Sequence, residues 1–170
     1  MLSYRSQTGS SLGQAFKQDR STSDISTWSP KAMEIAKQWL ASCVANHPDC
    51  SKKRWPVFSP TWLIDMGLDA SKITPRLIAT STLQDHPRCI SLSHCWGGNI
   101  STMLLKRNLK SMSEGFSLED LPLTFQHALQ ITQAFGCRYI WIDSFCIIQD
   151  SPEDWVKEST QMHQVHANAY

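Results

Sequence analysis

Residues capable of chemistry gather behind one apolar run. From Arg138-Tyr-Ile-Trp-Ile142 the chain passes into Asp143, Cys146, Gln149 and Asp150, and then to Trp155 and Glu158. Carboxylates can hold a ligand hydroxyl or move a proton, and a thiol becomes a nucleophile beside a suitable base. In α/β proteins such groups meet ligands at the C-terminal end of a buried strand. A second strand end, Leu92-Ser-His-Cys-Trp-Gly97, adds Ser93, Trp96 and Gly97 as ligand-binding candidates and offers His94 as a base for Cys146. Cys146 also lies between Phe145 and Ile147, so a packed thiol competes with a catalytic one. Asp143 has two readings, a turn residue bonding the backbone near Ser144 or a contact for a ligand hydroxyl.

Glu158 is the candidate catalytic acid. It sits three residues after Trp155 and four before Met162, on a helical face that continues to Val165 and Ala169. A carboxylate on such a stripe is costly unless paired. Either it forms a structural pair with Arg138 or backbone amides, or it is a functional acid in a perturbing environment. A further constellation is the repeat His47-Pro-Asp-Cys50 and His86-Pro-Arg-Cys89, with Cys43 one helical turn earlier. These five N and S ligands suit a structural zinc, although their spacing matches no standard finger. Loop histidines and buried thiols are the competing reading. No Gly-rich phosphate loop, Gly-x-Ser-x-Gly or His-Glu-x-x-His occurs.

These side chains must be positioned by alternating helices and strands. Ser29-Pro30 predicts a helix start, and Ala32, Ile35, Ala36, Trp39, Leu40 and Cys43 share one face until His47-Pro48 ends it. Residues 51–75 read as a loop-rich connector with a short Trp62-Leu63-Ile64 run, and Arg76–Ala79 as a short strand. Cys89–Cys95 is a clearer strand. Residues 99–120 contain no predicted element. Ser117–Asp120 resembles a capping box before a helix buried through Leu121, Phe125, Ala128, Leu129 and Phe135, with Gly136 as its stop. Tyr139–Ile142 is apolar on both faces, the pattern of a central, doubly covered strand in a parallel sheet. Strand, helix, strand implies a βαβ crossover. Ser151 and Pro152 then open a last helix with Glu153 and Asp154 in its first turn.

The expectation is therefore an α/β fold with a small parallel sheet and flanking helices, incomplete at the C-terminus. Its divisions are a disordered leader (1–27), a helix and loop-rich extension (28–88) and a sheet-bearing part (89–170). The 170-residue chain has a net charge of +1, which offers nothing to attract nucleic acid or a membrane surface. No run is long enough to span a bilayer, and no secretory signal pattern opens the sequence. Six cysteines in that setting read as reduced thiols of a cytoplasmic protein.

Three blocks carry a resemblance. They are Ile90-Ser-Leu-Ser-His-Cys-Trp-Gly97, Leu121-Pro-Leu-Thr-Phe125 leading to His127-Ala128, and Gly136 through Asp150 with Asp154-Trp155, Glu158, Met162 and Asn168-Ala169. On these, Cys89–Ala169 resembles the heterokaryon incompatibility (HET) domain of filamentous fungi. His94, His127 and His166 depart from that family's pattern, and so does Trp62 upstream. The family's domain continues past Ala169, so the chain reads as its N-terminal part. The resemblance implies self/non-self recognition and cell-death signalling, and a distant likeness to Toll/interleukin-receptor (TIR) domains with their flavodoxin-like layout. Some TIR domains cleave NAD with a glutamate, which would make NAD a substrate and Glu158 the acid. The rival expectations are a non-enzymatic module acting through protein partners or self-association, and a truncated inactive copy. No cofactor is firmly implied.

Overall fold

The computed structural model describes residues 27–51, 58–69, 71–97 and 102–170. Nearly all of the expected leader lies outside them. They belong to two units, one ending at Asn46 and the other running from His47 to Tyr170. In the first, Ser29 Oγ accepts a hydrogen bond from the Ala32 amide at 3.2 Å, and Pro30 opens helix α1 (Pro30–Asn46) as the cap and proline predict. The predicted apolar stripe is its half-covered side, except that Trp39 is exposed. The second unit begins at the break before Pro48 with the short α2 (Pro48–Ser51).

The second unit is built on four strands of four residues each: β1 (Trp62–Asp65), β2 (Arg76–Ala79), β3 (Cys89–Leu92) and β4 (Tyr139–Ile142). Their order across the sheet is β2-β1-β4-β3. β1 runs antiparallel to both β2 and β4, and only β3 and β4 are parallel. The expected small parallel sheet is thus corrected to a mixed, mostly antiparallel one, and its strand order confirms neither a TIR-like nor a flavodoxin-like layout. The expectation failed because β1 reads as a four-residue run among prolines, too short for its period to reveal a strand. Yet Leu63 and Ile64 are fully buried, and β1 is an inner strand.

The βαβ reading of β3 and β4 holds. Between them lie α3 (Leu109–Glu114), in a stretch with no predicted element, and α4 (Leu123–Ala134). Pro122 occupies the cap position of α4, while Ser117 bonds the Glu119 amide in a local turn, so the capping box does not form. Phe125, Ala128 and Leu129 enter the core, and Gly136 ends the helix at φ +73°. After β4, α5 (Asp143–Cys146) drives Phe145 against Phe125 and Phe116. The last helix, α6 (Pro152–Asn168), returns along β3 and β4, with His166 edge-on to Trp141 and bonded to Ser91. The Tyr170 amide then donates to the Cys89 carbonyl. No described helix is long and apolar enough to cross a membrane.

One end of this sheet is pinned by Asp65, which is 1% exposed. Its Oδ1 accepts Arg138 Nε at 2.6 Å and the Gly67 amide at 3.0 Å. Its Oδ2 accepts Arg138 Nη2 at 2.7 Å and Arg76 Nη2 at 3.2 Å. Gly67 turns at φ +91°, where a Cβ would collide with Thr74 Oγ1. Burial pushes the Asp65 carboxyl up, but hydrogen bonds from Arg138, the Gly67 amide and Arg76 outweigh it, leaving its pKa below the ordinary 3.8. A depressed native pKa contributes stability that is present above the unfolded value and lost as pH falls through the native one. Urea unfolding should therefore show stability falling below about pH 4, and Asp65→Asn should remove that component. Because the substitution leaves Arg138 without its carboxylate, it should also cost about 3 kcal/mol at neutral pH.

Candidate functional site

The opposite end of the sheet carries the chemistry. β3 and β4 finish together, with Leu92 opposite Ile142, so Ser93 and Asp143 leave at the same edge. β1 runs the other way, so Thr61, just before its first residue, belongs to that edge too. Asp143 Oδ1 accepts the Ser144 amide at 2.7 Å, the turn bond expected of it. Its Oδ2 accepts Trp96 Nε1 at 2.6 Å, and Oδ1 lies 3.5 Å from His94 Nδ1. That separation is an ion-pair distance rather than a hydrogen bond. The His94 ring is nearly parallel to Trp96 and edge-on to Phe125 at 5.0 Å. Neither ring nitrogen of His94 has a hydrogen-bond partner among the described residues, and the same holds for the buried Ser144 Oγ.

The neighbouring polar candidates hold the loop together. Gln149 Nε2 donates to the carbonyls of Asp143 and Ile147 at 3.2 and 2.9 Å. Asp150 Oδ1 accepts the Lys106 amide, which ties the chain before α3 to the turn after α5. Ser151 is the N-cap of α6 as expected, but its Oγ donates to Glu153 instead of accepting an amide, and Asp154 accepts the Ile148 amide of the preceding turn. Ser93, Trp96 and Gly97 are exposed, and Gly97 stands at φ +65°, a backbone conformation that favours glycine. Trp155 is 52% exposed, which corrects its place on the buried stripe of α6.

Glu158 is buried as predicted, at 1% exposure. Its partners are not Arg138 or backbone amides, because Arg138 serves Asp65 at the other end. Glu158 Oε1 accepts the Thr61 hydroxyl and lies 3.2 Å from Lys157 Nζ, which also donates to Thr61 at 2.6 Å. Its Oε2 has no partner among the described residues. Thr61 and Lys157 could not be found from the sequence, since Thr61 is 97 positions away. The nucleophile–base pairing of Cys146 with His94 is also corrected. The Cys146 thiol is fully buried and its pKa is pushed far up, first by burial and further by Cys89, Glu158 and Asp143. With its side chain in the hydrophobic core, the thiol is a packing residue. Such a thiol stays protonated and unreactive.

Among the metal candidates, Cys43 lies in the first unit, and His47 and Cys50 lie at the start of the second. His86 instead faces Ser59 at 2.8 Å, and Cys89 is buried in β3 with its pKa raised to about 11, mainly by burial.

The arrangement at the sheet edge is an exposed indole and a partly exposed carboxylate with a histidine beside them. It can stack and hydrogen-bond a polar group. Residues 90–170 match the model of the family described as heterokaryon incompatibility protein (HET). The matched residues contain all three sequence blocks that carry the resemblance. β1 and β2 precede the matched residues yet share their sheet. No curated protein and no solved structure matches the chain. Thiol labelling of the folded protein should modify Cys50 and Cys95, which are exposed, and spare Cys146 until urea unfolds the chain. Rapid native labelling of Cys146, read by mass spectrometry, would contradict its assignment as packing.

Proposed function

We propose that this chain acts in fungal heterokaryon incompatibility as a cell-death signalling module. It works by contact with a protein partner or a second copy, through the sheet end where β3 and β4 finish. The observation that carries this reading is the apolar surface around Asp143. Trp96, Leu123, Trp155 and Val156 are 37, 67, 52 and 57% exposed. Each lies at that end: Trp96 is bonded to Asp143, Leu123 opens α4 just before Phe125 meets His94, and the other two lie in the first turns of α6. Aromatic anchors within a polar surround are what protein contacts are built from. We place the module in the cytoplasm, whose reducing conditions suit a chain with six cysteines.

A second reading, NAD cleavage by Glu158, is favoured by one observation. Its buried Oε2 has no protein donor, and such an atom calls for an explanation. Against it, a 1% exposed carboxylate has no direct route to a ribose. The two readings separate in one experiment, with cell killing and NAD content measured together in an expressing fungal host. Trp155→Ala and Leu123→Asp, both surface changes, should lower killing about tenfold or more while NAD content is unmoved by Glu158→Gln. NAD loss that stops with Glu158→Gln would replace the contact reading with the enzymatic one. Killing indifferent to both surface changes would remove the proposed face.

A further inference from the structure

We propose that the Asp65 end of the sheet is a binding groove for a small phosphate monoester. It is distinct from the contact face and does not rest on it. A groove of about 940 Å³ opens there between the β1–β2 loop, the end of α3 and the C-terminal half of α4. That volume is in the range of small-molecule sites. Arg76 and Arg138 both line it, with 52 and 34% of their side chains exposed.

Asp65 engages only Nε and Nη2 of each guanidinium. Among the described residues the Nη1 group of each fork has no acceptor, and the forks are already oriented by the carboxylate they share. Little side-chain freedom is then lost when they close on a ligand. One carboxylate faces two guanidiniums, so a positive charge is left over there, and Lys72 stands on the rim beside Asp69, which offsets its charge. Donors arriving from two separate arginines suit a tetrahedral oxyanion with three acceptor oxygens better than a second planar carboxylate. The far wall carries Glu114, Glu119 and Gln130. Glu114 is 68% exposed and 3.9 Å from Lys110. These acceptors oppose a second anionic group and favour a body bearing hydroxyl or amine donors, as in a sugar phosphate.

Calorimetric titration of the full chain with ribose 5-phosphate, inorganic phosphate and ribose tests this. Ribose 5-phosphate should bind more tightly than inorganic phosphate, and ribose should not bind. Arg76→Gln keeps the Arg138–Asp65 pair and should weaken ribose 5-phosphate about tenfold, the loss of one charge-assisted hydrogen bond. Lys72→Gln, at an exposed loop position that cannot disturb folding, should weaken it about threefold and decides the matter should Arg76→Gln lose its native melt. No heat with ribose 5-phosphate at millimolar concentration, or equal affinity in the wild type and Lys72→Gln, would overturn the proposal.

Discussion

A single buried carboxylate organises the sheet. Asp65 ends β1, pairs across it with Arg76 at the start of β2 and, on the other side, with Tyr139 at the start of β4. Its two arginines come from those same strand starts. One charge therefore fixes the register of three strands, and a slip by one residue would leave it unpaired in the interior. Burying Asp65 is expensive and its partners are partly exposed, so the net stabilisation is smaller than the bond count suggests. Its larger effect is on specificity: alternative pairings of four-residue strands differ little in apolar burial but greatly in the fate of this charge.

With that end held, the other can present groups to other molecules. Asp143 and Glu158 stand at the same edge in different settings. Asp143 is partly exposed, already bonded to Trp96 and close to His94. Glu158 is sealed beneath Thr61 and Lys157. Cys146 fills space in the core and keeps its proton, because burial disfavours a thiolate. The accessible groups at this end are thus Trp96 and Asp143, with exposed apolar side chains around them.

Several features were legible from local pattern. Ser29-Pro30, His47-Pro48 and Gly136 mark helix ends because proline and glycine act on their own backbone, whatever surrounds them. Tyr139–Ile142 reads as central because a strand apolar on both faces must be covered twice. The turn bond of Asp143 and the burial of Glu158 follow from their places in the chain. The HET blocks are contiguous, and they name the family without reference to any long-range contact.

What the sequence left open are the pairings between distant segments. The partners of Glu158, the sharing of Asp65 by two arginines and the entry of β1 into the centre of the sheet join residues 11 to 97 positions apart. No periodicity encodes them. The short β1 run has no resolvable alternation, and a carboxylate with several basic residues in reach has no local preference among them. Only the packed chain chooses, because the cost of an unpaired buried charge exists only once the interior has closed around it. The sequence by itself determined where several helices begin and end and that Tyr139–Ile142 and Glu158 lie inward; the tertiary structure decided which of the buried groups meet.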